Sequence, residues 1–330
     1  MCLVSVLVPI YGVEQYIERC ARSLFEQTYP NIEFVFVNDC TRDRSIEILL
    51  QVLKDYPHRA EMVKLISHDC NRGIASTRNT AMNNATGEFV SYVDSDDWLE
   101  PNAIELLVKR QIETRADIVS GNMYIHSHEG VIEFVQPKYD NKEQMLLMQF
   151  PPTHDHDLFR RIIRRSLYED NSIRCIDGCD MGEDRYLMVQ LCYLAKEIST
   201  TNDFVYNYNT YNSNSYTHQI QPEKRLALIE QSLNNYLGIR RFLCDKEETL
   251  FQGTTKYVVV FIESLLKLSI RHRRKDLYRR VVKIIGENED CMNVMRWKKK
   301  GVKNRIKHNY HYLVVKDCSK KLVRRIQSVL

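Results

Sequence analysis

The sequence predicts an α/β fold built on a mostly parallel sheet, and three observations carry this prediction. Short β-branched runs alternate with helical patterns over the first hundred residues, which implies βαβ units with right-handed crossovers. The 330 residues are 44% apolar and 27% charged, as in soluble globular proteins. No apolar stretch approaches the roughly 20 residues that a membrane span needs.

Four strands and four helices are expected in the first 115 residues. Compact apolar runs predict the strands, and apolar residues at three- to four-residue spacing predict the helices. The expected elements, in chain order, are strand Leu3–Val8, helix Glu14–Gln27, strand Ile32–Val37, helix Arg44–Leu53, strand Met62–Ile66, helix Ile74–Asn83, strand Phe89–Val93 and helix Ala103–Gln111.

The pattern is less regular from about residue 117 to 220 and becomes helical beyond Pro222. Expected there are, in order, strand Asp117–Ser120, helix Leu158–Leu167, helix Glu183–Ala195, a loop or irregular hairpin at Tyr206–Tyr216, and helices Arg225–Phe242, Tyr257–Ile270 and Asp276–Ile285. The sequence therefore predicts one domain over residues 1–220, with halves 1–115 and 116–220, and a helical region over residues 221–330.

Polar side chains follow each of the four predicted parallel strands. The segments that follow them are Tyr11-Gly12, Asn38-Asp39, His68–Gly73 and Asp94–Asp97. In open parallel sheets, ligands bind outside the carboxyl ends of the strands. The sequence therefore predicts a ligand site at this edge of the sheet.

Asp94, Asp96 and Asp97 place three carboxylates within four positions. Each anion raises the free energy of its neighbours, so a cation is expected among them. Oxygen ligands suit Mg²⁺ or Mn²⁺, which also bind phosphate. A helix cap ahead of Pro101 would explain one carboxylate but not three. The cluster thus indicates a phosphate-bearing substrate held through a divalent metal.

Four segments in order resemble the family 2 glycosyltransferases, which have the GT-A fold: a Rossmann-like sheet flanked by helices. They are residues 4–11, 32–39, 71–79 and 93–97, the last containing a DXD motif, and a later match is Gly182-Glu183-Asp184. One segment alone would be weak evidence, whereas four in order are specific. The resemblance implies that residues 1–115 bind a nucleotide sugar and that residues 116–220 receive the acceptor.

The resemblance also implies the residues of a nucleotide pocket. Pro9 and Tyr11 are expected to line the base and ribose, and Asp39 to accept a hydrogen bond from N3–H of a uracil ring. Arg72 and Gly73 are expected to hold the nucleotide, since glycine allows close approach of the backbone.

The same resemblance assigns the reacting end of the substrate. Asp96 is the expected main metal ligand, with Asp97 beside it, and Asp94 faces the ribose, the metal or both. The metal bridges two phosphates and neutralises the departing nucleoside diphosphate. Asp184 is the expected general base, which deprotonates the acceptor hydroxyl as it attacks with inversion at the anomeric carbon.

Two positions depart from the family pattern. Cys40-Thr41 stands where a Gly-Ser pair is usual, so the turn is expected to avoid a glycine-only conformation. Thr77 replaces the more usual alanine. Neither change removes a chemical group that the expected reaction needs.

Simpler structural roles compete with these assignments. Asp39 alone would be an ordinary turn residue, and Glu183 is expected to complement the dipole of its helix. For Arg78 a structural ion pair is the expected role. His154 and His156 could suggest a metal pair or a contact with the acceptor, although a solvated loop is the simpler interpretation.

Charge is unevenly distributed along the chain. Residues 256–330 carry 21 Lys and Arg against 6 Asp and Glu, a net +15, whereas residues 1–255 carry 26 against 37, a net −11. The basic runs are Arg271–Lys275 and Trp297–Lys300. They could form a solvated face, bind nucleic acid or bind anionic lipid, and with the enzyme interpretation the membrane surface fits best.

Together these features predict an inverting, metal-dependent enzyme that moves a hexose or N-acetylhexosamine from a UDP-sugar to a hydroxyl of a surface polysaccharide or lipopolysaccharide. An alternative enzymatic function is transfer of the sugar to a polyprenyl phosphate. A non-enzymatic alternative is a phosphoacceptor module with a nucleic-acid-binding tail. Scattered cysteines and the lack of a basic leader predict a cytoplasmic location. With the membrane interpretation of the basic region, the expected position is peripheral, on the cytoplasmic face of the inner membrane.

Overall fold

A computed structural model describes residues 1–137, 144, 146, 148–149, 155–212, 222–246 and 248–288. The chain divides into two compact units, residues 1–220 and residues 221–330. Three sequence predictions concern residues outside this description. They are the last part of the predicted loop or hairpin (213–216), the position of His154 and the basic run Trp297–Lys300.

Strands of the first unit form one sheet. Among the described residues they are β1 (Val4–Ile10), β2 (Ile32–Asn38), β3 (Val63–Ser67), β4 (Phe89–Tyr92), β5 (Trp98–Leu99), β6 (Ile118–Ser127), β7 (Gly130–Phe134), β8 (Arg161–Arg164) and β9 (Ile198–Asn209). Their spatial order is β3-β2-β1-β4-β8-β6-β9-β5, with β7 paired to β6.

Helices flank this sheet. They are α1 (Ile17–Phe25), α2 (Ser45–Lys54), α3 (Ile74–Asn84), α4 (Ala103–Thr114), α5 (Arg165–Glu169) and α6 (Glu183–Leu194), with a 3₁₀ turn at Pro57–Met62. The four strands and four helices expected in the first 115 residues are confirmed. Strands β3, β2, β1 and β4 pair in parallel, whereas β8 pairs antiparallel with both β4 and β6.

The core lies against β1, whose seven residues are all buried. Phe25 of α1 packs edge-on against Phe34 and Phe36 of β2, at ring-centroid distances of 5.4 and 6.1 Å. Because helices cover both faces, these strands are continuous apolar runs rather than alternating ones.

Strands β1 and β4 separate before β1 ends. Their pairing stops at Leu7↔Tyr92, whereas β1 stays paired with β2 through Ile10. Pro9 therefore occupies a central strand at a point where β4 no longer pairs with it, so its missing N–H removes no ladder bond on that side. The separation opens the crevice in which the candidate site lies.

Two expectations for the second half are wrong. Leu158–Leu167 is not one helix, because β8 occupies Arg161–Arg164 and α5 follows it. Tyr206–Asn209, expected in a loop, forms the end of the twelve-residue strand β9.

The second unit is helical where it is described. Its helices are α7 (Pro222–Leu243), α8 (Glu248–Arg271) and α9 (Lys275–Glu287), as the sequence predicts. Leu233, Ile262 and Leu277 are among the apolar residues buried in this unit. No helix in the described part of the chain is long and apolar enough to cross a membrane.

Glu33 of β2 provides a pH-dependent contribution to stability. Its carboxylate accepts hydrogen bonds from Ser5 Oγ (2.6 Å), Thr86 N (2.6 Å) and Lys64 Nζ (2.8 Å). Burial alone would raise the pKa of Glu33, but these donors outweigh it and lower the pKa to about 2. The stabilisation is therefore complete above the unfolded-state pKa of about 4.5 and is lost as the pH falls towards 2.

We expect Glu33→Gln to lower the free energy of unfolding by about 2 kcal/mol at pH 7, with the difference shrinking between pH 4.5 and pH 3. Urea denaturation at several pH values measures this. Glu129→Gln, in the exposed turn after β6, is the matched control and should change stability by less than about 0.5 kcal/mol. A Glu33→Gln effect that is constant with pH would contradict the explanation.

Candidate active site

Asp39 ties the end of β2 to the loop before α3. Its buried carboxylate accepts hydrogen bonds from the backbone N–H groups of Arg72 (2.8 Å, Oδ1) and Gly73 (2.9 Å, Oδ2). His68 Nδ1 lies 2.8 Å from Oδ1 and is the donor, since a carboxylate can only accept. Oδ2 keeps a lone pair for a further donor, as the expected contact with a uracil N3–H requires.

A glycine is required at position 73 because the carboxylate of Asp180 closely approaches the backbone there. Its φ is 86° and its ψ 167°, a region open essentially to glycine alone. A Cβ at this position would lie 2.3 Å from Asp180 Oδ2. Asp180 Oδ1 accepts from Ala75 N (3.0 Å) and so caps α3 from a residue over a hundred positions later. Burial raises the pKa of Asp180, which this hydrogen bond opposes.

Helix α3 makes further contacts with the segment that leads into α6. Asn79 exchanges two hydrogen bonds with the backbone of Cys175, at 2.8 and 3.0 Å. Ser76 Oγ donates to Asp177 Oδ1 at 3.1 Å. The Asn-Arg-Gly segment and its helix therefore position the segment that leads into α6.

Arg78 links the two ends of the site. Its Nη1 forms an ion pair with Glu183 Oε1, and its Nη2 lies 3.2 Å from Asp94 Oδ1. Burial would lower the pKa of this guanidinium, but the charges of Glu183 and Asp94 outweigh burial and raise it. Burial also raises the pKa of Glu183, which the positive charge of Arg78 opposes. The expected ion-pair role of Arg78 is what the structure has. Glu183, expected only to complement its helix dipole, is instead the buried partner of Arg78.

The three clustered carboxylates have different surroundings. Asp97 is 1% exposed, and its oxygens accept from Tyr206 Oη and Asn209 N, both at 2.7 Å. Asp96 Oδ2 accepts from Asn212 Nδ2 at 2.8 Å, and the Asp94 side chain is 28% exposed.

Electrostatics distinguish the same three acids. Burial, followed by the charge of Asp94, raises the pKa of Asp96. Burial and the charges of Asp96 and Asp94 raise the pKa of Asp97 well above its usual range. A cation held by Asp94 and Asp96 would relieve this repulsion.

The remaining nucleotide-pocket residues differ in accessibility. Tyr11 is 53% exposed directly after β1, and Arg72 is exposed beside the Asp39 carboxylate. Pro9 is buried within β1. The structure thus brings Tyr11, Asp39 and Arg72 to one edge of the sheet, with Pro9 beneath that edge.

Asp184 lies in the first turn of α6, one residue after the buried Glu183. Its side chain is 28% exposed, and its Oδ1 accepts from Arg185 N at 2.7 Å. Because neighbouring helical residues face different directions, Glu183 points to Arg78 while Asp184 stays accessible. An accessible carboxylate at this point can accept a proton from a substrate.

Several site residues escaped the sequence prediction. Asp180 carries no pattern of its own, and only its position just before Gly182-Glu183-Asp184 could have pointed to it. Tyr206 and Asn209 were in the Tyr/Asn-rich stretch that was expected to be a loop. Cys40 has a φ of 58°, in the left-handed region that glycine favours but that other residues can adopt at a cost of roughly 1–2 kcal/mol.

Comparison with known proteins identifies the family of the chain. Residues 5–171, half of the chain, match the model of glycosyl transferase family 2. The chain is 32% identical over 219 residues to glycosyltransferase GlyA of Streptococcus pneumoniae, covering 62% of this chain and 30% of GlyA. It is 30% identical over 223 residues to the uncharacterized glycosyltransferase EpsJ of Bacillus subtilis, covering 65% and 63%. It therefore spans less than two thirds of either relative.

Solved structures share the fold. TarS 1–349 of S. aureus in complex with UDP-GlcNAc superposes with a TM-score of 0.62 at 20% identity, over 96% of this chain and 92% of TarS 1–349. The mannosyltransferase PcManGT of Pyrobaculum calidifontis, in complex with GDP-Man and Mn²⁺, gives 0.54 at 15% identity, over 97% and 87%. The fold is thus GT-A, and the chain belongs to glycosyl transferase family 2, a family of transferase enzymes.

Proposed function

We propose that this protein transfers a hexose or N-acetylhexosamine from a UDP-sugar to a hydroxyl of a glycan acceptor, with inversion, in polysaccharide or lipopolysaccharide synthesis. The observation that carries the proposal is the Arg78 bridge, because one guanidinium joins Asp94 at the phosphate end to Glu183, the neighbour of the accessible Asp184. Membership of the family supports an enzyme over the phosphoacceptor module.

The donor-binding part of the proposal rests on the edge of the sheet. Asp39 retains an acceptor position for uracil N3–H, and the exposed Tyr11 and Arg72 are placed to contact the base, ribose or phosphates. TarS, which shares this fold, was solved with UDP-GlcNAc. We therefore propose a UDP-sugar donor.

The acid cluster fits a divalent metal bound jointly with substrate. Among the described residues, no three His, Cys, Asp or Glu side chains converge to hold a metal by themselves. Mg²⁺ is commonly held by one or two carboxylates together with substrate phosphates. Asp96 and Asp94 would hold Mn²⁺ or Mg²⁺, and Asp97 would position Asp96 through its buried hydrogen bonds. When bound, the metal would offset charge on the diphosphate leaving group.

Asp184 performs the proton transfer in the proposed reaction. The acceptor oxygen forms a bond to the anomeric carbon while the bond from that carbon to the diphosphate oxygen breaks, and its electron pair leaves with UDP. The acceptor proton passes to the Asp184 carboxylate. General-base assistance of this kind contributes typically 10²–10⁴-fold in rate.

We expect Asp184→Asn to lower Mn²⁺-dependent UDP release from a UDP-sugar by 10²-fold or more, because the amide cannot accept the proton. Calorimetry should give a Kd for UDP with Mn²⁺ within about twofold of the unchanged protein. Asp170→Asn, an exposed acid after α5, is the matched control and should alter neither quantity.

Two results would contradict the proposal. If the folded protein shows no metal-dependent binding of UDP, the proposed donor site is wrong. Asp96→Asn should abolish the metal dependence of UDP binding. Full activity of Asp184→Asn with a short-chain polyprenyl phosphate would instead favour the ionised-acceptor alternative, which needs no base.

A second proposal concerns an anionic membrane surface. Arg271, Arg273 and Lys275 are exposed at the junction of α8 and α9, within the strongly basic part of the chain. We propose that this patch binds anionic lipid headgroups, at about 1 kcal/mol for each basic residue.

Changing Arg271, Arg273 and Lys275 together to Gln should therefore weaken co-sedimentation with phosphatidylglycerol vesicles by about tenfold or more. The matched control changes Arg42, Lys109 and Lys196, which are exposed in the first unit, and should have little effect. Binding that is absent, or that is insensitive to salt, would contradict the proposal.

A further inference from the structure

His156 lies beside the proposed base. Its Nε2 is 3.6 Å from Asp184 Oδ2, and the two side chains are 18% and 28% exposed. This separation is longer than a hydrogen bond, but catalytic hydrogen bonds are often long without substrate and shorten in the complex. The pair is therefore placed to interact at the mouth of the site.

The residues on both sides of His156 are fixed by buried ion pairs. Asp155, 1% exposed, pairs with Arg160 and lies 2.6 Å from Arg161 Nη2. Asp157 lies 2.9 Å from Arg160 Nε. Both arginines are buried and also donate to β6. Breaking such buried pairs is costly, so the backbone that carries His156 is held in place.

Arg185 also contacts the ring of His156. Its Nη2 lies 3.1 Å from both ring nitrogens, so this contact holds the ring without choosing between its two tautomers. Of the two nitrogens, Nε2 lies 3.6 Å from Asp184 Oδ2 and is the one that can donate to it.

Resting on the proposed function of Asp184, we propose that His156 is a positioning residue for this base. When substrate binding shortens the contact, Nε2–H donates to Oδ2, while Arg185 N–H already donates to Oδ1 at 2.7 Å. The two donors fix the plane of the carboxylate and leave its remaining lone pairs for the acceptor hydroxyl. Orientation of this kind affects the chemical step rather than donor binding.

Steady-state UDP release from a UDP-sugar with Mn²⁺ tests this role. His156→Leu should lower kcat about 10- to 100-fold and leave the donor KM and the calorimetric Kd for UDP within about twofold. His156→Gln should recover most of kcat, because its side-chain N–H can donate from near the position of Nε2. His58→Leu, an exposed histidine next to Tyr56, is the matched control and should have no effect.

The inference is overturned if His156→Leu keeps kcat within twofold, if it raises only the donor KM, or if His156→Gln is as impaired as His156→Leu. The Asp184→Asn variant separates this failure from that of the proposed function. If Asp184→Asn is inactive and His156→Leu is fully active, the positioning role of His156 is wrong but Asp184 remains the proposed base. If Asp184→Asn is active, the proposal that Asp184 is the base is wrong.

Discussion

The buried guanidinium of Arg78 is the interaction on which the site depends. It is charged, enclosed and shared between Asp94, at the end of the parallel strands, and Glu183, at the start of α6. Removing one partner of a buried pair leaves an uncompensated charge, at a cost of about 3–5 kcal/mol. The distance between Asp94 and the start of α6 is thereby set by one side chain rather than by loop length.

The other contacts of α3 also join segments that are remote in sequence. Asp39 holds the Arg72–Gly73 backbone, and Asp180 caps the helix through the space that Gly73 leaves open. Each carboxylate accepts backbone N–H groups from a segment remote in sequence. The Asn-Arg-Gly segment is therefore a structural junction as well as a part of the proposed nucleotide site, and both demands act on the same residues.

Most of the parallel half of the fold could be predicted from the sequence, because buried strands and amphipathic helices have distinct apolar periods. The second half could be predicted only in part: strand Asp117–Ser120 and helix Glu183–Ala195 are present as β6 and α6, whereas β8 and the end of β9 could not be predicted. Arg160 and Arg161 are buried and pair with Asp155 and the partly buried Asp157, so the segment that leads into β8 carries the charge pattern of an exposed helix. The end of β9 is polar because its asparagine side chains bond inward, Asn209 Nδ2 to the backbone carbonyl of Asp96 and Asn207 Nδ2 to Glu100 Oε1.

The site was predictable to a similar extent. Motif order predicts Asp39, Asp96 and Asp184 as site residues, since these acids follow strands or open a helix. Spacing alone could not distinguish the exposed Asp94 from the buried Asp97, because the difference depends on Tyr206 more than a hundred residues later. The role of Asp180 likewise requires a contact across the fold.

A double-mutant cycle between Arg78→Gln and Glu183→Gln tests the central claim most directly, with the free energy of unfolding as the measured quantity. If Arg78 joins the two ends of the site, each single change is strongly destabilising. The double variant then costs about 2 kcal/mol less than the sum of the two. Additive effects, within about 0.5 kcal/mol, would show that the two side chains act independently and would contradict this account.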